Sequence, residues 1–175
     1  MMQMLAAGGM PILTDGERTP DTDNPRGYCE WEPIKLLPKD PTLIEQAEGK
    51  AVKAISQLLF ALPLSHEYRI VFMQRPLREV VASQEEMIRR RGLAVATPAA
   101  AMIAALENHL KQVKLWLTGK SNIALHYVEY GNVVGRPGEV CAALRDFLPI
   151  AMDVEAMQRQ VDPALYRQRA PSAKP

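Results

Sequence analysis

The run YRIVFMQRPLREVVASQEEMIRRR, from Tyr68 to Arg91, changes period once, at Pro76, and that change limits what the chain can fold into. Before the proline, Tyr68, Ile70, Val71, Phe72 and Met73 form a short β-branched and aromatic stretch that reads as a buried strand. After it the apolar positions Leu77, Val80, Val81, Met87 and Ile88 share one helical face, and Arg78, Glu79, Glu85, Glu86, Arg89 and Arg90 are expected to face water. Pro76 suits the first helical position, where an N–H has no acceptor within the helix. A strand that feeds a helix directly is the βα unit of α/β proteins, which implies parallel pairing and right-handed crossovers.

The joint has an electrostatic oddity. A helix N-terminus carries roughly half a positive charge, so Arg75 and Arg78 oppose it unless an anion offsets them. Ser83 lies about 80° around and about 12 Å along a helix from Arg75, close enough for both side chains to reach one phosphate on the helix flank. Arginine offers a planar donor fork and serine a hydroxyl. A solvated arginine at an ordinary strand-to-helix joint is the alternative on spacing alone.

Length and charge narrow the field. The 175 residues are 47% hydrophobic, enough for one domain with a core. With 21 basic and 20 acidic residues the net charge is +1, so bulk charge attracts no nucleic acid and any anion site is local. Cys29 and Cys141 belong to no CxxC or Cys/His cluster, which argues against a zinc site or disulfide framework and fits a cytoplasmic setting. Met1 to Met10 lacks the basic start and long apolar core of a signal peptide, and no stretch has the length of a membrane span.

In chain order, Met1 to Ala7 reads as an apolar helix closed by Gly8 and Gly9. Pro11 to Pro33 is a loop in which Asp15, Asp21, Asp23 and Asn24 do not complete a calcium-binding spacing. Within it, NPRGYCEWE sets Glu30 and Glu32 beside Tyr28 and Trp31; aromatic surface strips hydration, which should raise a carboxyl pKa and suit a general base. Asp40 and Pro41 start a helix running to about Ala47, and Lys50 to Ser56 is expected to be a second strand. Thr97 is placed as the cap of a helix from Pro98, buried along Met102, Ile103, Leu106, Leu110, Val113 and Leu117 and ended by Gly119. His109, on its flank, reads as structural. Ile123 to Val128 is a third strand, and Pro137 to Leu148 another amphipathic helix.

The segment FMQRPLREVVAS resembles the 3′-phosphate-binding motif of sulfotransferases that use 3′-phosphoadenosine 5′-phosphosulfate (PAPS), in which an arginine ending a strand precedes a serine by eight. MMQMLAAGGMPILTDGERTPDTDNPRGYCEWEP, GKAVKAIS, VEYGNVVGRPGEVCAALRDFL and MDVEAMQRQVDPALYRQR are similar, in order and spacing, to bacterial members of that family. The resemblance implies a three-layer α/β domain of P-loop type with a mostly parallel sheet. It also implies transfer of a sulfuryl group from PAPS to a hydroxyl or amine of a small-molecule or peptide acceptor. It assigns Arg75 and Ser83 to the 3′-phosphate and Tyr130 to the neighbourhood of the adenine; Arg167 and Arg169, in the polar last segment, are further candidates for holding phosphate. Glu30, at the glutamate of a Gly-Tyr-x-Glu pattern, becomes the base. Lys53, where the cytosolic branch has Lys-Thr-His and this chain has Lys53-Ala54-Ile55, steadies charge on the bridging oxygen.

The chain departs from the family at its start. The family's first strand and Arg-Ser-Gly-Thr loop, which cradles the 5′-phosphosulfate, have no counterpart before Met1, so residues 1–175 read as one N-terminally incomplete domain lacking that strand. An uncovered strand edge is then expected to favour association, including a homodimer. The alternative expectation is a non-catalytic remnant that binds adenosine 3′,5′-bisphosphate or a protein partner. A nucleotide kinase is disfavoured, because Gly131, Gly135 and Gly138 are not followed by the lysine and hydroxyl of a P-loop.

Overall fold

The computed structural model describes residues 1–21 and 24–166. Asp23, Arg167 and Arg169 fall outside the described residues. Among those described, the sheet is one parallel pair, β1 (Tyr68–Gln74) and β2 (Ile123–Glu129). The two strands match residue for residue, from Tyr68 opposite Ile123 to Gln74 opposite Glu129.

Helices cover both faces of this pair. Because strand side chains alternate, Ile70, Phe72, Ile123 and Leu125 point to one face. There they meet Leu59 from the 3-10 helix Ser56–Ala61 and Val113 and Leu117 from the long helix Ala99–Leu117. Val71, Met73 and Val128 point to the other face, against Met4 and Leu5 of the first helix, α1 (Met2–Ala7). Cys141 and Leu144 of Pro137–Phe147 and Met157 of Val154–Arg159 complete that cluster. In chain order the remaining α-helices are α2 (Leu77–Arg90), α3 (Ala99–Leu117), α4 (Tyr130–Gly135), α5 (Pro137–Phe147) and α6 (Val154–Arg159). Leu144 and Val113 are fully buried. Truncating Leu144 to alanine should cost about 2–5 kcal/mol.

A third apolar cluster, Trp31, Ile34, Leu37, Ile44 and Leu58, gathers the 3-10 helices Glu32–Leu36 and Pro41–Ala47. Both begin with a proline in the first turn, and the Asp40 side chain caps the second by accepting from the Thr42 N–H. They are too short to fold alone and depend on the shared cluster.

Four expectations are corrected. Lys50 to Ser56 is not a strand: only Ala51 pairs, in an isolated parallel bridge with Ile12, and Ser56 already belongs to a 3-10 helix. Its β-branched residues favour extension, but a strand needs a neighbour and this segment has one for a single residue. Pro76 is the N-cap of α2 rather than its first residue, with the extended ψ of 127° usual for a cap. Pro98, not Thr97, caps α3, and no side chain closes that end. Glu79 does not face water; it is 5% exposed.

The coarse fold is therefore α/β, with helices on both faces of a small parallel sheet.

Candidate functional site

Arg75 leaves β1 where β2 ends beside it, because Gln74 pairs with Glu129 and the next residues are Arg75 and Tyr130. Register alone thus brings Arg75 and Tyr130 together. The Arg75 guanidinium carbon lies 5.2 Å from the Tyr130 ring centre and 5.2 Å from that of Tyr166, and the two rings meet edge to face at 5.0 Å. Such contacts hold a cation by the ring quadrupole.

The anion that the helix dipole calls for is internal. Arg75 Nε donates to Glu79 Oε2 at 2.9 Å, and the Tyr166 hydroxyl donates to the same carboxylate at 2.8 Å from Oε2 and 3.0 Å from Oε1. Glu79 lies in the first turn of α2, where a negative charge is favourable. Four residues separate it from Arg75, the spacing at which side chains on one helical face meet. That i,i+4 pair was visible in the sequence; Tyr166, 87 residues beyond Glu79, had no such signal. Ser83, half-buried in the second turn of α2, makes no side-chain hydrogen bond among the described residues.

Glu30 and Lys53 also come together. Lys53 Nζ donates to Glu30 Oε1 at 2.9 Å and to the Tyr28 carbonyl at 3.2 Å, while Arg18 reaches Glu30 Oε2 at 3.3 Å. The Arg18 guanidinium lies 3.3 Å above the Tyr28 ring centre. Burial pushes the Glu30 pKa up, as its aromatic neighbours suggested, but Lys53 and then Arg18 outweigh it and leave the carboxyl below its ordinary value. The expected rise is thus reversed: two cations at hydrogen-bond range favour the charged form more than partial burial opposes it. Glu32, the other carboxylate of the segment, pairs with Lys35. Cys29, next to Glu30, holds a left-handed φ of 48°, which turns the chain between Tyr28 and Glu30.

A cleft of about 1820 Å³ runs along β1 and between the two clusters' cations, for Lys53 and Arg75 both line it. Glu30, Ser83 and Tyr130 are not part of its lining. His109 and Ser56 are, joined at 2.8 Å between Nε2 and Oγ, so the histidine ties α3 to the 3-10 helix Ser56–Ala61. No cluster of three or more metal-ligating side chains occurs among the described residues, nor is any helix there long and apolar enough to cross a membrane.

No family model, curated protein or solved structure matches this chain.

Proposed function

We propose that the chain is a PAPS-dependent sulfotransferase-type domain of three-layer P-loop architecture, and that its described residues form the nucleotide half of the site. The observation that carries this reading is the fixing of Arg75 at the carboxyl end of β1. There it is oriented by buried Glu79 and two tyrosine rings and lines a cleft, with Ser83 in the second turn of α2, the helix that follows. Ligands of parallel α/β sheets bind at the carboxyl ends of the strands. A guanidinium carries five N–H donors in one planar fork, the geometry that a phosphate accepts.

In this reading Arg75 and Ser83 hold the 3′-phosphate of PAPS and Tyr130 lies near the adenine. The nucleotide acts as a substrate: its sulfuryl group passes by in-line displacement to a hydroxyl or amine of the acceptor. Lys53 would steady the bridging oxygen and Glu30 would take the acceptor's proton.

A second reading is binding of adenosine 3′,5′-bisphosphate without transfer. The Glu30 arrangement favours it, since a carboxylate held by Lys53 and Arg18 and depressed in pKa is a weak base near neutral pH.

Calorimetry with adenosine 3′,5′-bisphosphate and an assay with labelled PAPS separate the two. Arg75→Ala is a poor probe because it also removes the cation beside buried Glu79. Arg75→Lys keeps the charge and loses the fork, and should weaken binding about tenfold or more, as should the combination with Ser83→Ala. Unchanged affinity in both variants would refute the nucleotide site. Binding with no turnover would select the second reading.

A further inference from the structure

Two stretches of backbone that do not pair with each other line the cleft, β1 and residues 51–54. β1 bonds to β2 along one edge, and among the described residues its other edge has no strand partner. Every residue of β1 lines the cleft. A cleft lying over a sheet face would be lined by alternate residues, so continuous lining means that the strand edge itself is presented. Roughly three or four residues of β1 then direct N–H and C=O groups into it.

The second stretch is the segment that fails to become a strand. Ala51 exchanges backbone hydrogen bonds with Pro11 and Leu13, at 2.8 and 2.9 Å, but Val52, Lys53 and Ala54 make none among the described residues. All four line the cleft. A strand added at the free edge of β1 would extend the β1–β2 pair into the cleft.

The walls state what that chain must be. Met1, Met2, Leu5 and Met10 line the cleft from the side on which Val71 and Met73 point. Leu59 and Leu62 line it from the side of Ile70 and Phe72, and Leu106 and Leu110 of α3 line it as well. A strand placed here has apolar surface above and below, which requires side chains that are apolar at successive positions rather than alternating with polar ones. A folded second copy fits poorly, because the edge of its sheet carries helices on both faces that would strike these walls before reaching β1.

We propose that the cleft is a strand-acceptor site, taking one extended polypeptide segment that is apolar on both faces and hydrogen-bonded to the free edge of β1. The site is independent of the nucleotide reading, since it uses backbone groups and apolar walls rather than Arg75 or Ser83.

The test uses the full chain and three labelled peptides. One has about six alternating valines and isoleucines between lysine tails, the length of a typical strand. The second is the same peptide N-methylated at alternate residues, and the third has lysine at every second position. The first should bind saturably at one per chain and slow amide exchange from Arg69 to Met73 and from Val52 to Ala54. Each altered peptide should bind about tenfold more weakly or worse, from lost backbone bonds in one case and a buried charge in the other. Equal binding by the N-methylated peptide, or exchange at β1 left unchanged by the first peptide, would overturn the proposal. So would sedimentation showing a dimer that excludes the peptide, which would assign the edge to a second copy.

Discussion

Glu79→Ala tests whether the Arg75 cluster is a structural lock. The carboxylate is 5% exposed and accepts from Arg75, whose side chain is 22% exposed, and from the Tyr166 hydroxyl. Removing one partner of a buried ion pair costs about 3–5 kcal/mol when the remaining charge stays dry. Arg75 retains some access to water, and Tyr166 can turn its hydroxyl, so the lower end, about 3 kcal/mol, is expected. With a urea slope of about 2 kcal/mol/M, the unfolding midpoint should fall by about 1.5 M. Glu79→Gln keeps the shape and an acceptor oxygen, and should lose about half as much. Tyr166→Phe shares a partner with Arg75, so a double-mutant cycle between Tyr166→Phe and Glu79→Gln should show a coupling of about 0.5–1.5 kcal/mol. If Glu79→Ala unfolds within about 0.5 kcal/mol of wild type, the network contributes nothing measurable and the reasoning fails.

The Glu30 pKa is depressed in the folded state, so its pairs stabilise the protein above the ordinary carboxyl value of 4.5 and are lost as pH falls through the lower folded value. Acid titration of stability should therefore be shallower below pH 4.5 in Glu30→Gln than in wild type, and parallel curves would contradict the ion pairing. Gly8→Ala should destabilise by about 1–3 kcal/mol, since an added Cβ would stand 2.6 Å from Cγ of fully buried Met157; an unchanged melting temperature would show that the methionines repack freely. Burial raises the Cys141 thiol pKa and closes it to solvent, whereas Cys29 is partly exposed. A thiol reagent should then titrate Cys29 in the native protein and Cys141 only in denaturant, and reaction of both at the same rate would mean that the core between α1 and α5 opens readily.

The elements legible in the sequence are those whose apolar residues repeat at the period of the structure they adopt. β1, β2, α1, α3 and α5 lie within a residue or so of their expected bounds, because a side chain's face follows from backbone geometry alone. Arg75 lies beside Tyr130 and Lys53 beside Glu30, neighbours that the motifs named without placing side by side. Three matters belonged to the tertiary structure. Glu79 reads as a solvent-facing acid on its helix, and the arrival of Tyr166 and the clamped Arg75 makes its burial tolerable. Glu30 has aromatic neighbours in sequence, yet its pKa is governed by Arg18 and Lys53, 12 and 23 residues away along the chain. Lys50 to Ser56 has strand composition and is not a strand, since a ladder is a property of two chains side by side and the sequence of one cannot state whether the other is there.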